Sequence, residues 1–186
     1  MGIAKFIYAD QGLVLKAVGL EDGQAFFVAI SENQSHFLNF DFSSPNFSSV
    51  SEVEQVIQSL MQYRQQEDGA SYGAWLENKL VGFFTINKID WSLKTADLGY
   101  WLVKSATGRG LAITGLKSLI EYCFGRLNLN YITAHVATTN LKSQNVLLKA
   151  GFQKQQRYSQ NMNVRGQLVD SFEYKLEKIL EQNLII

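Results

Sequence analysis

The stretch that most constrains this chain runs from Asp97 to Phe124, where a period-two pattern gives way to a glycine link and then to a period-3.6 pattern. Leu98, Tyr100 and Leu102 alternate with Asp97, Gly99, Trp101 and Val103, which predicts a strand. Ala112, Leu116, Leu119, Ile120, Cys123 and Phe124 share one helical stripe, which predicts a buried helix. Between them, Gly108 and Gly110 let the backbone turn sharply and lie close to another group. The following helix aims its unpaired first N–H groups back at this turn, and such a terminus attracts anions, phosphate above all.

Several phosphate binders place glycines after a strand, and the near misses narrow the choice. A dinucleotide fingerprint needs a third glycine where this chain has Ile113. A nucleoside-triphosphate loop needs lysine where Gly115-Leu116-Lys117-Ser118 offers Leu116. A plain strand-to-helix turn stays open as the other reading of the two glycines.

The rest of the chain predicts one domain over residues 1–186. Residues 13–18 read as a strand, 24–30 as a helix, and 51–66 as a helix opened by a Ser51-to-Glu54 capping box. Residues 72–76, 80–88 and 95–103 read as a three-stranded meander with a hairpin link at Asn78-Lys79. A strand at 130–137 and a helix at 140–149 follow, the helix capped by Asn140 and stopped by Gly151. Strands from Phe152 and over 169–176 complete the order β-α-α-β-β-β-α-β-α-β-β, a mixed, mostly antiparallel sheet flanked by helices. The aromatic segment His36 to Phe42 suits a dimer contact, a pocket or the core alike, and the loop Ser43-Ser44-Pro45-Asn46 after it is expected to cover a pocket.

Lysine plus arginine equals aspartate plus glutamate at 17 each, so there is no basic field for a nucleic-acid backbone. The lone cysteine, Cys123, lies on the helix stripe and reads as a packing thiol. No run reaches the roughly eighteen apolar residues of a membrane span, and no signal-peptide pattern is expected, so a cytoplasmic protein is anticipated.

Three ordered motifs resemble the GNAT acetyltransferases. Thr107-Gly108-Arg109-Gly110-Leu111-Ala112 looks like their pyrophosphate loop. Ala96-Asp97-Leu98-Gly99-Tyr100-Trp101-Leu102 resembles the preceding strand of the branch that holds the ribosomal-protein serine N-acetyltransferases, and Asn140-x-x-Ser143 with Ala150-Gly151-Phe152 resembles its later signature. The similarity runs from Leu13 to about Leu176. It departs at Thr107, where the family has Gln or Arg, at Thr114, where this branch commonly has glutamate, and at Met162, which aligns with an expected acid.

The resemblance implies acetyl-coenzyme A as cosubstrate and direct attack of a primary amine on the thioester, without a covalent enzyme intermediate. It implies that backbone N–H groups at Leu102 and Val103 hold the pantetheine and thioester, and that Gly108, Arg109, Gly110, Leu111 and Ala112 hold the pyrophosphate. It carries a cofactor contact to Asn140 and the proton donor for the thiolate to Ser143. Without the resemblance, these two read as a helix cap and its first turn. Asp97 is the first candidate for the base, with His135 and His36 behind it and Asp170 read as structural. The implied acceptor is a protein N-terminus, and the branch resemblance implies a homodimer. The alternatives are a small amine such as a polyamine or antibiotic, favoured by an acidic pocket from Glu21, Asp22, Asp41 or Glu52, and a noncatalytic acyl-coenzyme A-binding protein.

Overall fold

A computed structural model describes residues 2–38, 46–164 and 166–179. The expected Asp41, the end of the aromatic segment and the loop around Pro45 lie outside the described residues. Those that are described build one sheet of eight strands with helices on both faces.

The chain opens with two short strands, β1 (Phe6–Tyr8) and β2 (Val14–Ala17). Three helices follow: α1 (Gly23–Glu32), α2 (Gln34–Leu38) and α3 (Val50–Gln65). The meander is β3 (Ala70–Leu76), β4 (Lys79–Asp90) and β5 (Thr95–Leu102). Next come α4 (Leu111–Gly125), β6 (Tyr131–Ala137) and α5 (Leu141–Lys149), and a long closing hairpin of β7 (Gln153–Val164) and β8 (Gln167–Glu177).

The three-residue β1 was not anticipated because so short a run carries no period, and its Phe6 and Tyr8 face outward. The cap of α3 also falls two residues earlier than expected. Ser49 accepts from the Glu52 N–H, while the Glu52 carboxylate accepts from the Ser48 N–H at 2.9 Å. The meander hairpin turns on Glu77 and Asn78, both with positive φ, as a two-residue turn matching strand twist requires.

The sheet order is β1-β2-β3-β4-β5-β6-β8-β7, and every neighbouring pair is antiparallel except β5 and β6. Strand alternation sorts the side chains into two layers. Tyr72, Phe84, Ile86, Leu98, Ile132 and Tyr174 are buried in one core with Leu116, Leu119 and Cys123 of α4 and Leu147 of α5. On the opposite face Phe26 and Ile30 of α1 and Val53 and Ile57 of α3 form a second cluster, against which Phe83 and Trp101 pack.

Candidate active site

The parallel ladder between β5 and β6 is short. It joins Thr95 to Tyr131, Ala96 to Ile132 and Asp97 to Thr133, and then the strands part. From Leu98 onward β5 is paired only with β4, and from Ala134 onward β6 is paired only with β8. The gap opens into a cavity of about 610 Å³, within the range of small-molecule sites. Its walls include residues 98–102 of β5, 134–137 of β6, the glycine turn and the first turn of α5.

Backbone groups in an antiparallel strand alternate between the two edges. The Val103 N–H donates to the Val81 carbonyl at 3.0 Å, which commits it to β4. Leu102 therefore points its N–H and carbonyl into the gap, where its carbonyl meets the His36 ring. Of the two residues expected to offer N–H groups there, Leu102 is so oriented and Val103 is not.

The far end of the gap is the glycine turn. Gly108 and Gly110 have φ of +75° and +81°, a region costly to a residue with a Cβ, and Gly110 is the N-cap of α4. No side chain caps this helix, so the first N–H groups at Leu111 and Ala112 face the gap without an intrahelical acceptor. Thr107 turns its hydroxyl back to the Lys104 carbonyl at 2.8 Å, and Thr114 receives a hydrogen bond from Gln11, so the hydroxyls at both departures from the family pattern have partners within the protein. The Arg109 side chain is exposed at the turn. Lys142 and Lys149 of α5 line the cavity, which adds positive charge near the uncapped terminus.

Asn140 caps α5 by accepting from the Ser143 N–H at 3.1 Å, which places both residues on the cavity wall. The local capping role is thus real. Ser143 also lies beside Tyr100, whose phenol burial pushes up and so keeps neutral, with Ser143 drawing it back down. Tyr100 stacks on Phe84 at 5.7 Å. Sequence reasoning did not bring Tyr100 to Ser143, because the strand pattern gave it only a face shared with Leu98 and Leu102 and nothing in one sequence pairs positions 100 and 143.

Asp97 stands at the fork itself. Its carboxylate accepts from Asn87 Nδ2 at 2.7 Å and from the Thr133 hydroxyl at 3.3 Å. Burial nevertheless holds it above the usual carboxylate range, with His135 pulling it down and Glu173 pushing it up. His135 lines the cavity and lies against the Tyr158 ring at 5.7 Å. His36 also lines it, and burial lowers its pKa, which favours the neutral ring. Met162 lines the cavity too, and no aspartate or glutamate does so among the described residues. Glu21 and Asp22 are paired with Lys16, and Glu52 with Ser48, so the acidic pocket that would favour a polycation is not assembled by these three. Asp170 holds Arg157 and accepts from the Gln160 N–H at 2.8 Å, pinning the irregular stretch of β7 as a structural residue.

The model of the acetyltransferase (GNAT) domain matches residues 13–153. The chain belongs to the GNAT acetyltransferase family. This GNAT chain is 26% identical over 147 residues to the ribosomal-protein-serine acetyltransferase of Escherichia coli, covering 78% of this chain and 82% of that one. Its fold matches RimL, a ribosomal L7/L12 α-N-protein acetyltransferase solved with coenzyme A, with a TM-score of 0.86 at 20% identity over 92% and 97% of the two chains. It also matches the microcin C7 self-immunity acetyltransferase MccE, solved with acetyl-coenzyme A and AMP, with a TM-score of 0.85 at 22% identity over 91% and 94%. The uncapped α4 terminus and the parted strands are the parts of this GNAT domain suited to an elongated, phosphate-bearing thioester.

Proposed function

We propose that this GNAT enzyme transfers the acetyl group of acetyl-coenzyme A to the primary amine of a protein N-terminus. The observation that carries this reading is the gap between β5 and β6, which ends on the uncapped, glycine-turned start of α4. A pyrophosphate fits that terminus, with N–H donors from residues 108–112 and Arg109 alongside. The pantetheine arm then lies along the β5 edge, where Leu102 presents its N–H, and Asn140 contacts it from α5. Similar proteins with ribosomal N-termini as acceptors support the protein acceptor.

Attack requires a neutral amine. Asp97, held by Asn87 and Thr133 and kept above the ordinary carboxylate range by burial, takes the ammonium proton. The nitrogen lone pair attacks the thioester carbon, the N–C bond forms, and the C–S bond breaks. Ser143, beside the neutral Tyr100 phenol, protonates the departing thiolate and regains its proton from the acylated nitrogen, which keeps one hydrogen as the amide N–H. A polyamine acceptor is disfavoured because the cavity wall carries lysines and no carboxylate among the described residues.

Thiol release with a panel of N-terminal seryl and alanyl peptides, set against spermidine, tests the acceptor class. Peptide turnover exceeding spermidine turnover is expected, and the reverse overturns the reading. Ser143→Ala should lower kcat by roughly a hundredfold, the lower end of what positioned proton transfer contributes, with little change in acetyl-coenzyme A affinity measured by calorimetry. Unchanged kcat removes the proton-donor role.

A further inference from the structure

The cavity wall holds no carboxylate among the described residues, yet an amine must lose a proton beside it. The carboxylates that reach this place come from the sheet face around it. Register fixes which side chains share that face: Asp97 lies opposite Thr133, His135 opposite Glu173, and Tyr158 opposite Ser171. Residues two apart on a strand point the same way, so Asp97, Thr133, His135, Glu173 and Tyr158 form one row across four strands.

Contacts tie part of the row together. The Tyr158 hydroxyl donates to Glu173 Oε2 at 3.4 Å, and the Tyr158 ring packs against His135. Asp97 feels the charges of both His135 and Glu173. Asp97 and Glu173 are partly buried, and His135 between them is exposed on the cavity wall. The other charged or titratable groups nearby are Lys175 on β8, Lys142 and Lys149 on α5, and His36 on α2.

We propose that Glu173 is a positioning residue for acceptor deprotonation: it holds the Tyr158 hydroxyl, whose ring seats His135, so that the proton taken by Asp97 leaves along this face past His135 to water. This rests on the acetyltransferase reading above. The protons balance: of the three on the acceptor ammonium, one stays on the amide nitrogen, one leaves by Asp97 and His135 to solvent, and one offsets that taken up by the thiolate. The Tyr158 ring packed on His135 limits how the imidazole can turn. Glu173 serves the reaction through His135 and needs no contact with the acceptor.

The test uses the full chain, acetyl-coenzyme A and an N-terminal seryl peptide, following thiol release across pH for wild type, Glu173→Gln, Glu173→Asp and His135→Gln. Glu173→Gln should lower kcat/KM for the peptide roughly tenfold, a part of the full effect of positioned proton transfer, and leave KM for acetyl-coenzyme A unchanged. Its acidic limb should move to lower pH, because the Glu173 charge helps hold the Asp97 carboxyl up and its loss lets that group ionise at lower pH. Glu173→Asp should recover part of the rate, and His135→Gln should reproduce the loss. An active wild type with Glu173→Gln matching it in rate and pH profile overturns this inference alone. A wild type that binds acetyl-coenzyme A but acetylates no peptide overturns the acceptor reading and this inference with it.

Discussion

Replacing Gly115 by alanine sets two effects of known sign against each other at the centre of the fold. In a helix interior the exchange favours the helix by about 1 kcal/mol. Packing opposes it, because a Cβ at Gly115 would stand 2.4, 2.8 and 2.9 Å from three ring atoms of Phe84. That ring is fully buried and stacked on Tyr100, so it has no free end to swing aside. Overpacking of this kind costs about 1–3 kcal/mol, and engagement of three ring atoms puts Gly115 in the upper part of that range. The net loss is about 1–2 kcal/mol. For a chain of 186 residues this lowers Tm by roughly 2–8 °C. Gly125→Ala is the control, since nothing lies within 4 Å of its added Cβ at the last residue of α4. Thermal unfolding followed by circular dichroism should show Gly115→Ala below wild type and Gly125→Ala level with it or above. The displaced Phe84 also pushes on Tyr100, so Gly115→Ala should lower kcat. A Gly115→Ala protein that melts at or above wild type would refute the reading of α4 as seated directly on this ring.

Asp97→Asn trades function for stability. The folded-state pKa of Asp97 is raised by burial, so above that value the ionised side chain costs the fold free energy, and below the ordinary carboxylate range both states are protonated and the cost vanishes. The neutral carboxamide introduced there keeps an oxygen for the Asn87 amide; the variant should melt higher than wild type at pH 8, converge with it toward pH 3, and lose most of its acetyl transfer. A lower Tm at pH 8 would count against the desolvated carboxylate. Cys123 is fully buried and its thiol is pushed up to about 12, so a disulfide reagent at pH 8 should label it only as fast as the chain unfolds. Rapid labelling in native buffer would show that α4 opens locally.

Local pattern made much of this molecule legible. The alternation at 98–102 and the stripe from Ala112 to Phe124 each reported a face buried against one core, which is why β5 and α4 fall where the sequence places them. Gly108 and Gly110 announced their own backbone geometry, and both have positive φ. What the sequence did not expose depends on pairing between distant positions. Tyr100 meeting Ser143, and Glu173 facing His135, follow from strand register and from where α5 lands, and neither leaves a local pattern. Asn87 was invisible for a related reason, since a bulge is a property of two strands together. Val103 shows the converse: the alternation named the right strand end, but the hydrogen bond to Val81 decides which edge its N–H serves.

The bulge at Asn87 ties the candidate base to the opening of the sheet. Register between β4 and β5 shifts between Ile86 and Lys88, leaving Asn87 as the extra residue with its amide on Asp97. A bulge bends and twists the strands it joins. The bend coincides with Asp97, the last β5 residue paired to β6, and beyond it residues 98–102 turn away along the cavity. Gly99 keeps the corner clear, since a Cβ there would lie 3.1 Å from Thr85 Cγ2 and 3.2 Å from Asn87 Nδ2, displacing the amide that holds Asp97. The carboxylate, its hydrogen-bond donor and the gap for the thioester thus share one irregularity in one ladder. Removing the extra residue at 87 would straighten β4 against β5, carry the donor off Asp97 and narrow the gap together, so the candidate base and the gap between the strands cannot be adjusted independently in this fold.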